Sequence, residues 1–275
     1  MSKLEFRNPE IVSPPNSLHQ IVSHPVHHQS RAIEIALFND HRYAFYYWNK
    51  WLQEQKKRNH LSNPPALVSL DWHQDLCHPC ETEREWLQNL DLKKKGDVAF
   101  FSWAKLNPLN DGHILSAAYM NIVGNIYVHC RQEKFAHDWD DEEMIDLFGN
   151  THTIKKFKAF EDLESHLLMS EESDTFFDVD LDFFTVKNGL SDGSFEFTYL
   201  PEKIITKILS PERPLMKWIF ERLAGFTIAM EPEHTGGFLK ANKYLALMDK
   251  LYFEPGLFTH RCNWRSVTEW RVENQ

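Results

Sequence analysis

The sequence predicts an α/β domain: one mostly parallel sheet with helices on both faces, a single-domain three-layer sandwich. Three observations lead there. Short apolar runs alternate with helical stretches from residue 31 onward, the order that builds parallel sheets through crossover helices. No internal repeat and no linker-like composition divides the chain. The ionisable residues that interrupt the apolar runs fall at their ends, where an α/β sheet opens its ligand crevice.

The elements follow in order. Residues 1–30 hold four prolines and no clear periodicity, and predict an irregular N-terminal arm whose histidines (His19, His24, His27, His28) belong to a solvated loop. The α/β domain then spans 31–275. Ala32–Phe38 (AIEIALF) reads as a strand, followed by Asn39-Asp40-His41 and an aromatic helical run from Arg42 to Lys57. Ala66–Leu70 is a second strand, Glu83–Lys95 a helix, Ile114–Ile122 a helix, and Asn125–His129 a strand. The charge run Asp138–Glu143 reads as a solvated loop or helix face, and Phe160–Met169 as an amphipathic helix. Thr175–Phe184 is a strand with an unusual charge load. Pro201–Leu209 and Pro214–Ala224 are helices with proline in the first turn, Phe226–Met230 is a strand and Leu239–Leu251 the last helix. The aromatic and basic tail from Tyr252 is expected either to pack back on the core or to serve an interface.

Bulk properties narrow the function. Hydrophobic residues make up 42% and charged residues 25% of 275, enough for a sizeable core. A net charge of −10 argues against a nucleic-acid or anionic-membrane partner and fits a cationic substrate or bound metal. No run is long enough to cross a bilayer and no signal-peptide pattern opens the chain, and four cysteines make no disulfide framework. Together these predict a reducing, cytoplasmic setting. Cys77-His78-Pro79-Cys80 is formally C-x-x-C, but no second pair completes a zinc site; incidental loop chemistry ranks first, a redox role second and zinc third.

The strand ends hold the chemistry. His41 follows the first strand, Asp71, His73 and Asp75 the second ("SLDWHQDL"), Asp178 and Asp180 the "TFFDVDLDFF" strand, and Glu231 the last. In extended chain, Asp71/His73/Asp75 project on one side, and so do Asp178/Asp180/Asp182. Carboxylates crowded at a buried edge must protonate or meet a cation, and a carboxylate-rich set with two imidazoles suits Mn²⁺ better than Zn²⁺. Taken singly, His41 is an ordinary turn residue, Asp75 a helix cap and Asp182 a turn former or a supporting acid outside the ligand set.

"SLDWHQDL" resembles the D-x-H-x-D motif of the ureohydrolases, the arginase and agmatinase superfamily; "FFDVDLDFF" resembles their third motif and "NDH" the motif of their first histidine ligand. The short forms are most similar to a divergent branch that includes peptide arginases, which convert arginine residues of a precursor peptide to ornithine with release of urea. The resemblance implies an arginase/deacetylase-like fold and two Mn²⁺ per chain. Asp71 and Asp178 would bridge them, with His41 and Asp75 completing one shell and His73 and Asp180 the other. It implies that Glu231, or Glu233 two residues on, holds the guanidinium, and that His113 relays a proton to the leaving amine. The polar loop by which free-arginine enzymes bind the α-carboxylate and α-amine has no counterpart after Asp75, which favours a peptide substrate. Two other readings stay open: a hydrolase of another guanidino or amide molecule, agmatine-like or deacetylase-like, and an inactive metal-stabilised binding module.

Overall fold

The computed structural model describes residues 12–58, 63–131, 139–189 and 195–265. Among them one eight-stranded sheet forms the middle layer, in the order β1-β2-β10-β7-β3-β4-β6-β5. Its strands are β1 (Leu18–Ser23), β2 (Ala32–Phe38), β3 (Ala66–Asp71), β4 (Ile126–Cys130), β5 (Glu142–Ile145), β6 (Thr151–Phe157), β7 (Thr175–Asp180) and β10 (Leu223–Ala229). The pairs from β2 through β6 are parallel, and β1 and β5 close the two edges antiparallel. Two hairpins stand apart: β8 (Thr185–Gly189) with β9 (Phe195–Tyr199), and β11 (Phe253–Glu254) with β12 (Asn263–Trp264).

Alternation along the central strands splits the core in two. Ile33, Ile35 and Leu37 of β2 pack toward α5 (Phe160–Leu168), α6 (Glu202–Ile208), α7 (Pro214–Glu221) and α9 (Phe238–Tyr252). Ala36 and Phe38 of the same strand pack toward α1 (Ala44–Lys57), α3 (Lys95–Ala104) and α4 (His113–Tyr119). This is the three-layer sandwich the sequence predicts. Apolar runs work here because strands buried on both faces have no solvent side to keep polar. No described helix is long and apolar enough to cross a membrane.

Departures from expectation have local causes. The N-terminal arm is not irregular throughout: Leu18–Ser23 pairs with β2 as an edge strand, and the two open sides of "LHQIVS" leave no apolar run to mark it. His24 ends it fully buried, its Nδ1 accepting from the backbone of Val26 and His27, so it is no solvated loop residue. The helix expected over Glu83–Lys95 ends early, as α2 (Glu81–Gln88), and α3 begins only at Lys95. Between them Asp91 takes the amide of Lys93 on its side chain and that of Lys94 on its carbonyl, which favours a turn over a helix. Part of the acidic run becomes β5, its acids paired with Lys155 and Lys156 of β6; residue 138 lies outside the described residues. The tail as far as Arg265 packs back on the core through Phe253 and Trp264; residues 266–275 lie outside the described residues.

Gly225 shows how tightly α1 sits on the sheet. A Cβ there would fall 2.2 Å from Cε3 of Trp51, and Trp51 is held by its Nε1 donating to the buried Glu34 at 2.6 Å. Gly225→Ala is therefore expected to destabilise the fold by about 1–3 kcal/mol, the usual cost of overpacking. Thermal unfolding reads this directly, and an unchanged midpoint would mean that Trp51 can move aside.

Candidate metal centre

Four neighbouring strands, β2, β10, β7 and β3, deliver the site from their carboxyl ends. His41 lies in a 3-10 turn just after β2, and Glu231 two residues beyond β10. Asp178 and Asp180 close β7, and Asp182 follows in the 3-10 turn Leu181–Phe184. Asp71 ends β3. Beyond it the chain does not stay extended as expected: it bends at Trp72 and His73 and takes φ of 51° at Asp75. The bend replaces simple alternation as the means that aims Asp71, His73 and Asp75 at one point. The expected acids and imidazoles converge, and all but His73 are buried.

At the centre stands Nδ1 of His41. Asp75 Oδ2 lies 3.0 Å from it, Asp180 Oδ2 3.2 Å and Asp71 Oδ2 3.5 Å. His73 Nδ1 lies 3.0 Å from Asp182 Oδ2. These atoms are close, yet His41 Nδ1, Asp71 Oδ2, Asp180 Oδ2 and Asp182 Oδ2 are buried without one aligned hydrogen bond among them. A hydrogen bond needs a direction, whereas a cation does not. Buried polar atoms left unpaired at such short range are what a coordinated ion resolves.

The protonation pattern carries the same strain. Burial, then the neighbouring Asp75, pushes Asp71 far above the carboxylate range; burial and Asp182 push Asp180 up to about 7. Glu231 also rises well above its ordinary value, through burial and Asp180. Burial resists charge on His41 and His73, but Asp178 raises the first well above its usual value and Asp182 raises the second to about 9. These carboxylates cannot all ionise without positive charge between them.

Asp178 occupies a different place. It sits in register with Ser69 of β3 and Thr227 of β10, forming a polar row across three buried strands. Its Oδ1 accepts from Thr227 Oγ1 at 2.6 Å; its Oδ2 accepts from Ser69 Oγ at 2.9 Å and lies 2.8 Å from His41 Nε2. Burial opposes its charge, but His41 and these donors hold it below the usual carboxylate range. Among the described residues, the groups of side chains whose atoms lie close enough to share an ion include Asp71, Asp75, Asp180, Asp182, Glu231, His41, His73, His113 and His234, and not Asp178. The carboxylate expected to bridge two ions is thus engaged by three partners and stands outside these groups. Asp182, expected outside the ligand set as a turn former, joins the cluster instead.

A cavity of about 430 Å³ opens beside the cluster, lined by His73, Asp75, Asn110, Asp111, Glu231 and His234, with Leu76, Cys77 and Leu109 among its other walls. Glu231 is fixed from several sides: Asn110 Nδ2 donates to its Oε1 at 2.6 Å, the amide of His41 at 3.2 Å, and its own amide donates to Asn39 O at 3.1 Å. Three wall residues, Asp75, Asn110 and Glu231, hold left-handed φ of 51°, 62° and 34° without being glycine. Such strain persists only where surroundings enforce it, and it gathers at working sites.

Two expected residues stand elsewhere. Glu233 is exposed on α8 (Pro232–Thr235) and lines no part of the cavity, because the left-handed turn at Glu231 directs that residue inward and the next acid outward. His113 is buried beneath His41, their rings 4.2 Å apart, and is not a wall residue. Its Nδ1 donates to Asn110 O at 2.9 Å, and burial lowers its pKa to about 4, so it is neutral. A relay through His113 has no wall position from which to reach a leaving group. Cys77 and Cys80 are free and exposed, Cys77 on the cavity rim and Cys80 at the start of α2, in keeping with loop chemistry beside the site. Asn110, Asp111 and His234 line the wall without having stood out in the sequence; the run "NPLNDGH" signals a turn but not its destination. No protein-family model and no curated protein sequence matches the chain.

Proposed function

We propose that the chain is a two-metal hydrolase of the ureohydrolase kind, which converts arginine residues of a precursor peptide to ornithine and releases urea. One observation carries the reading: His41 Nδ1, Asp71 Oδ2, Asp180 Oδ2 and Asp182 Oδ2 converge, buried and without an aligned hydrogen bond, beside a cavity walled by acids. Carboxylates with a minority of imidazoles fit hard divalent ions such as Mn²⁺. Two bound cations would lower the pKa of a water held between them to about 7, making it a nucleophile at neutral pH.

The rest is the work of side chains. Glu231 receives the guanidinium through a charge-assisted hydrogen bond, with Asn110 and the amide of His41 fixing its other oxygen. Asp75 and Asp111 add negative potential at the same wall, and Leu76 and Leu109 offer apolar surface to the methylenes of the arm. Among the described residues no Lys or Arg lines the cavity, so the α-carboxylate of free arginine would meet no fixed cation there. In a peptide that group is an amide and needs none. The same feature suits agmatine, which lacks the carboxylate, and this is the second reading. Incubation with Mn²⁺ and either agmatine or an arginine-containing peptide separates them. Urea with a peptide lighter by one cyanamide unit per site supports the first, urea from agmatine alone the second, and no urea from either leaves a binding module.

Glu231→Gln keeps the shape and removes the charge. With hydrogen bonds to charged groups contributing about 1.5–3 kcal/mol, kcat/KM is expected to fall roughly 10- to 150-fold with metal content unchanged. Unaltered kinetics would remove Glu231 from the substrate contact.

A further inference from the structure

We propose that the outer ion of the pair is held by His73, Asp182 and His234, and that Asp178 is a positioning residue for His41 rather than a ligand. This rests on the two-metal reading above and departs from the ligand set that the motif resemblance implies. The third acid of "DVDLD" takes the place expected of the first.

The geometry points there from both sides. Both oxygens of Asp178 are already engaged. Turning it toward an ion would take the acceptor from Ser69 and Thr227, buried inside the sheet, and the carboxylate from behind His41. Leaving such donors unpaired costs about 1–3 kcal/mol each. Where it stands, Asp178 binds Nε2 of His41 and leaves Nδ1 facing Asp71, Asp75 and Asp180. A carboxylate behind a histidine is the usual device for orienting the ring and fixing its tautomer.

Asp182 has the opposite character. Its Oδ1 accepts from the amide of Trp72 at 3.0 Å, which fixes the carboxylate, while its buried Oδ2 faces His73 Nδ1 at 3.0 Å without an aligned hydrogen bond, the arrangement of two ligand atoms turned toward one point. One ligand atom from each of His73, Asp182 and His234 lies within 4.8 Å of the others, and the two imidazole rings meet edge to face at 5.3 Å between centroids. His73 and His234 also line the cavity, so an ion held there faces the substrate. The inner group, His41 with Asp71, Asp75 and Asp180, is carboxylate-rich; the outer has two imidazoles and one carboxylate. Asp71, grouped with His41 and Asp180 and also with His73, and Asp180, grouped with His41 and also with Asp182, are the acids that adjoin both sides. The 3-10 turn at Leu181 makes the assignment possible, because it swings Asp182 back toward β3 instead of continuing the strand.

The test is bound manganese per chain after equilibration with Mn²⁺ and removal of excess, together with the electron paramagnetic resonance spectrum, for the wild type, D178N, D182N and H234A. His234 is partly exposed, so H234A is expected to disturb the fold less than a change at the fully buried Asp182, and the thermal midpoint of each metal-free variant checks this. The wild type is expected to hold two ions with a spin-coupled spectrum. D182N and H234A should each hold one, with the spectrum of isolated Mn²⁺. D178N should keep two, with affinity weakened about 10- to 100-fold as for other residues that support a ligand. Two ions retained in both D182N and H234A overturns the assignment while leaving the two-metal reading intact, and so does loss of an ion in D178N alone. A wild type that binds none removes the two-metal reading and this assignment with it.

Discussion

Asp71→Ala is expected to abolish urea release, by about a thousandfold or more, because its carboxylate stands between the two groups of candidate ligands and its loss disturbs both. The stability readout is what makes the test sharp. In metal-free protein Asp71 is a crowded acid pushed far from its ordinary protonation range, first by burial and then by Asp75. Removing it relieves that crowding, which offsets the lost acceptor of the His73 amide, so metal-free D71A should melt close to the metal-free wild type. A residue that merely built the fold would behave in the opposite way, since truncating a buried, well-paired group destabilises by several kcal/mol. A large drop in the unfolding midpoint of metal-free D71A, with manganese content unchanged, would sink the ligand role.

The second large effect concerns the ions themselves. Stripping metal with a chelator should lower the thermal midpoint, and returning Mn²⁺ should restore it. A ligand at a hundred times its Kd adds about 2.7 kcal/mol, so each ion is expected to raise the midpoint by roughly 5–10 °C in a domain of this size. The physical source is the set around His41 Nδ1, where two imidazoles stand against a larger number of buried carboxylates, and the oxygens facing Nδ1 make no aligned hydrogen bond with it. Midpoints that coincide with and without Mn²⁺ would mean that the cluster balances its own charge. Ca²⁺ or Mg²⁺ in place of Mn²⁺ should give smaller shifts, because those ions draw less on imidazole.

Much of this is legible in the amino-acid sequence. Runs such as "ALVSL" and "TFFDV" must be buried on both faces, and their acids can lie only at the ends, which locates His41, Asp71, His73, Asp75, Asp180 and Glu231 at one sheet edge. What the residues do not disclose is the path of the chain beyond each strand. Alternation governs extended backbone, and the chain leaves it at Trp72 and again at Leu181. The first departure happens to preserve the expected trio. The second carries Asp182 into the cluster, while Asp178 stays engaged with Ser69, Thr227 and His41. Ser69 and Thr227 are visible as polar residues in apolar strands, yet only the register of β3, β7 and β10 shows that they flank one carboxylate. Glu233 and His113 miss the cavity for a related reason. Each sits close after a left-handed residue, at Glu231 and Asn110, and pattern reasoning does not follow a chain that reverses its hand.

Those same backbone conformations bear on how the protein would evolve. Asp75, Asn110 and Glu231 each hold a shape that glycine would adopt at no steric cost, against roughly 1–3 kcal/mol for another residue. Thermal robustness is therefore available at three positions of the cavity wall, and each gain would erase a side chain to which the proposed reaction assigns a part. A laboratory lineage selected for heat alone should drift toward sturdy, idle descendants, while one selected for turnover should keep its fragile rim and find its reinforcement on the far side of the sheet.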